Sequence, residues 1–167
     1  MRKWILTLAA LLCGFTLLAQ SSHDYGGQLL SFEESALPFV GDSSSKLSIS
    51  DQHYKHGSHS ARWQWSRDGA QISIPKSIPF LKENPNPKET SVSTFVFWVY
   101  APKSLDGELR FEFLKDGKLC SWFDYKLEFE GWRGAWVAFD RDMEGEPEEG
   151  MNELRVTVSG VKRGELL

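Results

Sequence analysis

Apolar and polar side chains alternate in short runs along most of this chain, the period of two that belongs to strands with one buried face. Leu47 and Ile49 alternate with Ser48 and Ser50, and Ala61, Trp63 and Trp65 with Arg62, Gln64 and Ser66. Leu109, Phe111 and Phe113 alternate with Arg110 and Glu112, and Phe123, Tyr125, Leu127 and Phe129 with Asp124, Lys126 and Glu128. Leu154, Val156 and Val158 make a last clear run, and a first strand is predicted around Gln28 to Glu33. Residues 91–100 differ. Phe95, Phe97 and Val99 point one way, Val96, Trp98 and Tyr100 the other, and a strand apolar on both faces is predicted to be central and covered on both sides.

Between the runs stand turn residues. Asp68-Gly69 predicts a hairpin joining 61–65 to 71–74, and Asp116-Gly117 a turn between the two half-wet strands that flank it. Residues 36–45, 82–90 (with Asn84-Pro85-Asn86-Pro87) and 140–150 read as loops. No window holds a sustained helical period with caps. The fold class is all-β, a two-sheet sandwich, and about nine strands suit a jelly roll. Gly160 to Leu167 begins another apolar run and stops. The expectation is a sandwich lacking its last strand, since an exposed paired edge is a liability that soluble proteins blunt.

The N-terminus changes the domain count. Arg2 and Lys3 precede an apolar run from Ile5 to Leu18, and Leu17-Leu18-Ala19 suits small-residue processing at Ala19. The expected organisation is a signal peptide at 1–19, a small and polar linker at 20–27 and one β-sandwich domain at 28–167. The protein is then exported, periplasmic or extracellular. The apolar run falls short of a membrane-spanning helix, so no membrane association is expected after processing. Cys13 raises lipoprotein processing as an alternative, but Leu11-Leu12 before it lack the small residues this needs. Removal of the leader leaves Cys120 as the one cysteine, with no internal disulfide, reading as a small buried hydrophobe. Without Arg2 and Lys3, 17 of the 19 basic residues face 23 acidic ones, about −6 in net charge. That balance argues against nucleic acid and anionic membranes as partners.

Candidate chemistry concentrates in the loop from Asp51 to Ser60. His53, His56 and His59 recur three apart, and imidazole binds zinc. His59 should already point along a sheet face, and no second ligand cluster appears, so a solvated loop competes with that reading. Calcium takes oxygen ligands, and Asp51, the carbonyls of 55–58 and a carboxylate from Glu33 or Glu34 could cage it; a turn in which Asp51 caps its own backbone is the alternative. Asp140 to Gly145 imitates an EF-hand opening, yet Met151 stands where the closing glutamate belongs and Pro147 interrupts the stretch. No nucleophile elbow or phosphate-cradling glycine loop appears. Most tryptophans sit at core phase. Trp122 shares its face with Asp124 and Lys126, a setting in which an indole stacks on a sugar ring while polar neighbours bond its hydroxyls; a ring tucked under a loop at a strand end is the alternative.

Five stretches together resemble one family. They are Phe32-Glu33, Leu47 through Lys55, Ser60 through Trp65, Phe95 through Tyr100, and Gly131-Trp132-Arg133-Gly134-Ala135-Trp136-Val137. From about Phe32 onward the chain is similar to the N-terminal domain of bacterial chondroitin sulfate ABC lyases, secreted polysaccharide lyases. The resemblance implies a jelly roll akin to carbohydrate-binding modules, ahead of a helical toroid whose His, Tyr and Arg side chains abstract the proton beside a uronate carboxylate and eliminate the glycosidic bond. None of those catalytic positions falls on this chain, so no catalytic residue is carried over. It also implies a structural calcium held by the first strand, the following loop and a final-strand aspartate, the first two matched by Glu33 and Asp51. The implied function is a non-catalytic accessory domain of a chondroitin or dermatan sulfate lyase. It would position glycosaminoglycan or pack on the catalytic domain of the same polypeptide. A free-standing exported carbohydrate-binding module is the alternative.

Overall fold

The alternating runs are strands, and they stack as two antiparallel layers. The computed structural model describes residues 30, 32–33, 36–83 and 93–167. Eleven strands lie among them: β1 (Val40–Gly41), β2 (Ser45–Ser50), β3 (Ser60–Trp65), β4 (Gln71–Ile74), β5 (Thr94–Ala101), β6 (Glu108–Lys115), β7 (Lys118–Lys126), β8 (Gly131–Ala138), β9 (Glu144–Gly145), β10 (Glu153–Ser159) and β11 (Gly164–Leu166). The one helix among the described residues is the single turn α1 (Phe139–Asp142). The expected signal peptide and linker lie outside the described residues. So does most of the expected first strand, of which Leu30, Phe32 and Glu33 are described and are not strand.

One layer has the order β1-β4-β10-β6-β7-β9. The other is built from β2-β3-β11 and β5-β8. These two pieces are stitched by Tyr100 and Leu167, which exchange both backbone hydrogen bonds at 2.7 and 3.0 Å. Mutual exchange marks an antiparallel pair, so the strands run β2-β3-β11-β5-β8 across one layer. The end of the chain, read from sequence as an apolar run that stops, forms the strand that joins the two halves.

The core lies between the layers. Phe95 and Phe97 of β5 reach across to Phe111 of β6 and Phe123 of β7 with ring centroids 4.6–6.2 Å apart. Trp63 and Trp65 are buried, as their phase predicts. Cys120 is buried and free.

The two Asp-Gly signals have different outcomes. Asp116 and Gly117 both take positive φ, 51° and 79°, and close the β6–β7 hairpin. Asp68-Gly69 does not close a hairpin, which corrects the sequence expectation: β3 pairs with β2 and β11, whereas β4 pairs with β1 and β10. The physical reason is where the turn is anchored. Gly69 N–H donates to Val158 O at 3.0 Å, and Asp68 Oδ1 accepts Gly160 N–H at 2.9 Å. The turn is thus tied to β10, and the chain leaves one layer for the other.

Candidate carbohydrate-binding face

β5 is covered on one side only. Its odd residues enter the core, and its even residues look outward together with those of β8. The register sets Val96 beside Trp136, Trp98 beside Gly134 and Tyr100 beside Trp132. Gly134 lets the Trp98 ring lie flat on the neighbouring strand, because a Cβ there would come within 2.8 Å of that ring. Trp136 meets Trp98 edge to face at 5.5 Å, and Trp132 meets Tyr100 in the same way at 5.5 Å. Trp98 remains 40% exposed and Trp136 58%. The expectation that both faces of this strand are covered is therefore overturned, and Trp98, Trp132 and Trp136 belong to an outer aromatic platform rather than to the core.

The loop from Asp51 to Ser58, between β2 and β3, reaches across this platform. The His53 ring stacks on Tyr100 at 3.9 Å with 10° between planes, and Lys55 Nζ sits 4.1 Å from the Trp98 ring centroid. An ammonium over an indole face is attracted by the ring quadrupole. His53 holds φ at 53°, a conformation that a side-chain-bearing residue rarely adopts. Glu33 fastens the far end of the loop. Its Oε1 accepts the backbone N–H of Ser58 at 2.9 Å and of His59 at 3.0 Å, and its Oε2 accepts the Ser58 hydroxyl at 2.6 Å. The Ser58 hydroxyl and amide, followed by His59, hold the Glu33 carboxyl at about 2, well below its usual range.

These contacts bear on the predicted metal ligands. The three histidines do not converge: His53 lies on Tyr100, His59 Nδ1 is 3.3 Å from Glu33 Oε2, and His56 is exposed. Glu33 and Asp51 do not fit a calcium cage as they stand. The Glu33 oxygens are filled by N–H and O–H donors, which a cation would have to displace, and Asp51 is exposed. No group of three or more His, Cys, Asp or Glu that could hold a metal ion occurs among the described residues.

Trp122, Asp124 and Lys126 do share the outer face of β7, as their phase predicts, but that face is largely self-satisfied. Trp122 is half-buried beside β9, where the Cβ position of Gly145 lies 2.9 Å from its ring. Asp124 is gripped by both arms of Arg110, at 2.8 and 2.9 Å, and this holds its carboxyl below the usual range. Lys126 lies 3.9 Å from Glu128. The acidic stretch after β8 is likewise an internally bonded turn: Asp142 accepts Ala138 N–H at 2.9 Å and pairs with Arg141 at 2.7 Å.

Two antiparallel layers around a shared aromatic core define a β-sandwich, with an aromatic outer face on β5 and β8. Its fold is similar to that of the family 11 carbohydrate-binding module of Clostridium thermocellum, solved with a β-1,3-1,4-mixed-linked tetrasaccharide. The TM-score is 0.55 at 12% identity, with 82% of this chain and 88% of that one covered. The chain belongs to the family described as "Lyase, N terminal", whose model matches residues 26–167. It is 41% identical over 156 residues to the chondroitin sulfate ABC exolyase of Bacteroides thetaiotaomicron, a match covering 93% of this chain and 15% of that protein. It is 30% identical over 138 residues to the chondroitin sulfate ABC exolyase of Proteus vulgaris, covering 81% of this chain and 13% of that one. The chain therefore spans about one seventh of the length of the curated relatives it matches, and it corresponds to an N-terminal domain of such a lyase.

Proposed function

We propose that this chain is the non-catalytic N-terminal domain of an exported chondroitin or dermatan sulfate lyase, and that it holds glycosaminoglycan on the outer face of β5 and β8. The observation that carries the reading is the exposed Trp98–Trp136 pair with Lys55 beside it. The apolar face of a pyranose covers an indole well, and an ammonium next to that ring can pair with the uronate carboxylate of the same polymer. Lys55 has no carboxylate partner among the described residues. The relatives' names and the fold likeness agree with this reading, and eliminative cleavage is assigned to the remainder of a lyase-length polypeptide.

Titration of the 167-residue chain with chondroitin 4-sulfate and dermatan sulfate oligosaccharides, followed by tryptophan fluorescence, is the direct test. Trp136→Ala is expected to weaken binding about tenfold or more, in the range that alanine substitution of stacking aromatics costs. Unchanged affinity in that variant would remove the platform. Absence of binding in the parent, with Trp136 shielded from a soluble quencher in a longer lyase polypeptide, would favour packing against the catalytic portion instead. The same preparation is expected to release no ultraviolet-absorbing unsaturated uronate.

A further inference from the structure

A cleft of about 370 Å³ opens at another corner of the five-stranded layer, where β2 begins and β3 ends. Trp65 lines it at the end of β3, with its indole turned to the core side of the layer. That ring is fixed by donation from Nε1 to Val161 O at 2.9 Å and packs directly beneath Gly164, where no Cβ could be placed without striking it. Its wall is the serine turn before β2. There Asp42 Oδ1 accepts the N–H and hydroxyl of Ser44 at 3.0 and 2.7 Å, and Arg67 holds the other oxygen of Asp42 at 3.0 Å.

Lys46 and Arg163 both line this cleft. Arg62, Arg67, Arg110, Lys115, Lys118, Lys126, Arg141 and Arg155 each have a carboxylate within 3.9 Å. Lys46 and Arg163 have none among the described residues, which is also true of Lys55, Lys103, Arg133 and Lys162, but of these only Lys46 and Arg163 line the cleft. The carboxylate closest in register, that of Glu165, is already engaged by Arg62 at 3.2 Å and by the amide of Gln64. On a chain with more acidic than basic residues, two cations without a carboxylate partner on the lining of one open cleft are a candidate site for an anion. The volume lies at the small end of ligand sites, so the anion is a single group with its immediate scaffold rather than a long polymer segment.

We propose that this cleft binds the sulfate ester of a sulfated sugar, with Lys46 and Arg163 pairing its oxygens and the Ser43 hydroxyl donating to them. Charge-assisted bonds of this kind are the strong ones, and the guanidinium fork suits a tetrahedral oxyanion. The inference rests on the glycosaminoglycan reading above but uses none of the platform residues, so the two can fail separately.

The test is a nuclear magnetic resonance titration of the 167-residue chain with sulfated chondroitin oligosaccharide, its unsulfated counterpart and inorganic sulfate. The backbone amides of Ser43, Ser44 and Gly164 report on the cleft. The sulfated oligosaccharide is expected to shift these amides. The double variant Lys46→Gln/Arg163→Gln is expected to weaken sulfated binding about tenfold and leave unsulfated binding unchanged, whereas Trp136→Ala weakens both. Both mutated side chains are exposed, so an unchanged thermal midpoint is expected and confirms folding of the double variant. Equal affinity of the parent for sulfated and unsulfated sugar, or a preference for sulfate that survives in the double variant, overturns the cleft and leaves the platform standing. Shifts with inorganic sulfate but no oligosaccharide binding overturn both the sugar assignment and the polymer reading.

Discussion

Glu33 governs the loop that carries His53 and Lys55, because its carboxylate gathers the Ser58 and His59 amides at the point where the loop returns to β3. With the folded carboxyl at about 2 against an ordinary value of 4.5, the contribution is fully present above about pH 4.5 and is lost as pH falls toward 2. Glu33→Gln should accelerate hydrogen exchange at Ser58 and His59 and abolish the acid-dependent part of their protection over that window. Equal protection at pH 3 and pH 6 in the parent would contradict this. Gly134 is the second residue of consequence. Alanine there pushes on the Trp98 ring, so Gly134→Ala is expected to cost about 1–3 kcal/mol in denaturant unfolding; a neutral result would show that Trp98 swings clear of β8 at little cost. Glu33 was legible in the sequence as a carboxylate facing the loop, though not as an acceptor of amides. Metal ligation and amide capture ask for the same residue, and only the atoms opposite distinguish them.

At the scale of the elements, β11 joins halves that the sequence left unconnected. Leu166 and Leu167 are buried, and fully burying a leucine is worth about 1.5–3 kcal/mol against a total domain stability of about 5–15 kcal/mol. Deleting residues 164–167 should therefore lower the melting temperature by about 10 °C or more, measured by circular dichroism. An unchanged midpoint would mean that β3 and β5 hold their places without the strand between them. The two Asp-Gly turns show why topology was less legible than strand content. Both dipeptides favour reversal, and both stand at turns. Whether the following strand pairs with its predecessor depended on Val158 and Gly160, some ninety residues away, which capture the turn at Asp68 and Gly69.

On the scale of the whole molecule, the sandwich has two dissimilar outer faces. The face carrying Trp122, Asp124 and Lys126 has its polar groups paired, whereas the β5–β8 face leaves Trp98 and Trp136 exposed. Trp122→Ala is accordingly expected to bind chondroitin and dermatan oligosaccharides as the parent does, in contrast to Trp136→Ala; a loss confined to Trp122→Ala would move the site to the other layer. Millimolar calcium is expected to leave the thermal midpoint unchanged, since Glu33 is already saturated by donors. A rise of several degrees would restore the cation.

The sequence by itself determined the strand phases and the all-β class, because side-chain alternation is set locally by the pleat, and the particular residues of five stretches between Phe32 and Val137 carried the resemblance to the lyase family. It assigned Phe95, Phe97 and Val99 to one side of β5 and Val96, Trp98 and Tyr100 to the other. Only the tertiary structure decided which side became core. Both sides are apolar enough to bury, and the choice followed from Phe111 and Phe123 of the opposite layer meeting the odd-numbered rings. The even-numbered rings were left outside, where the loop bearing His53 and Lys55 comes to rest on them.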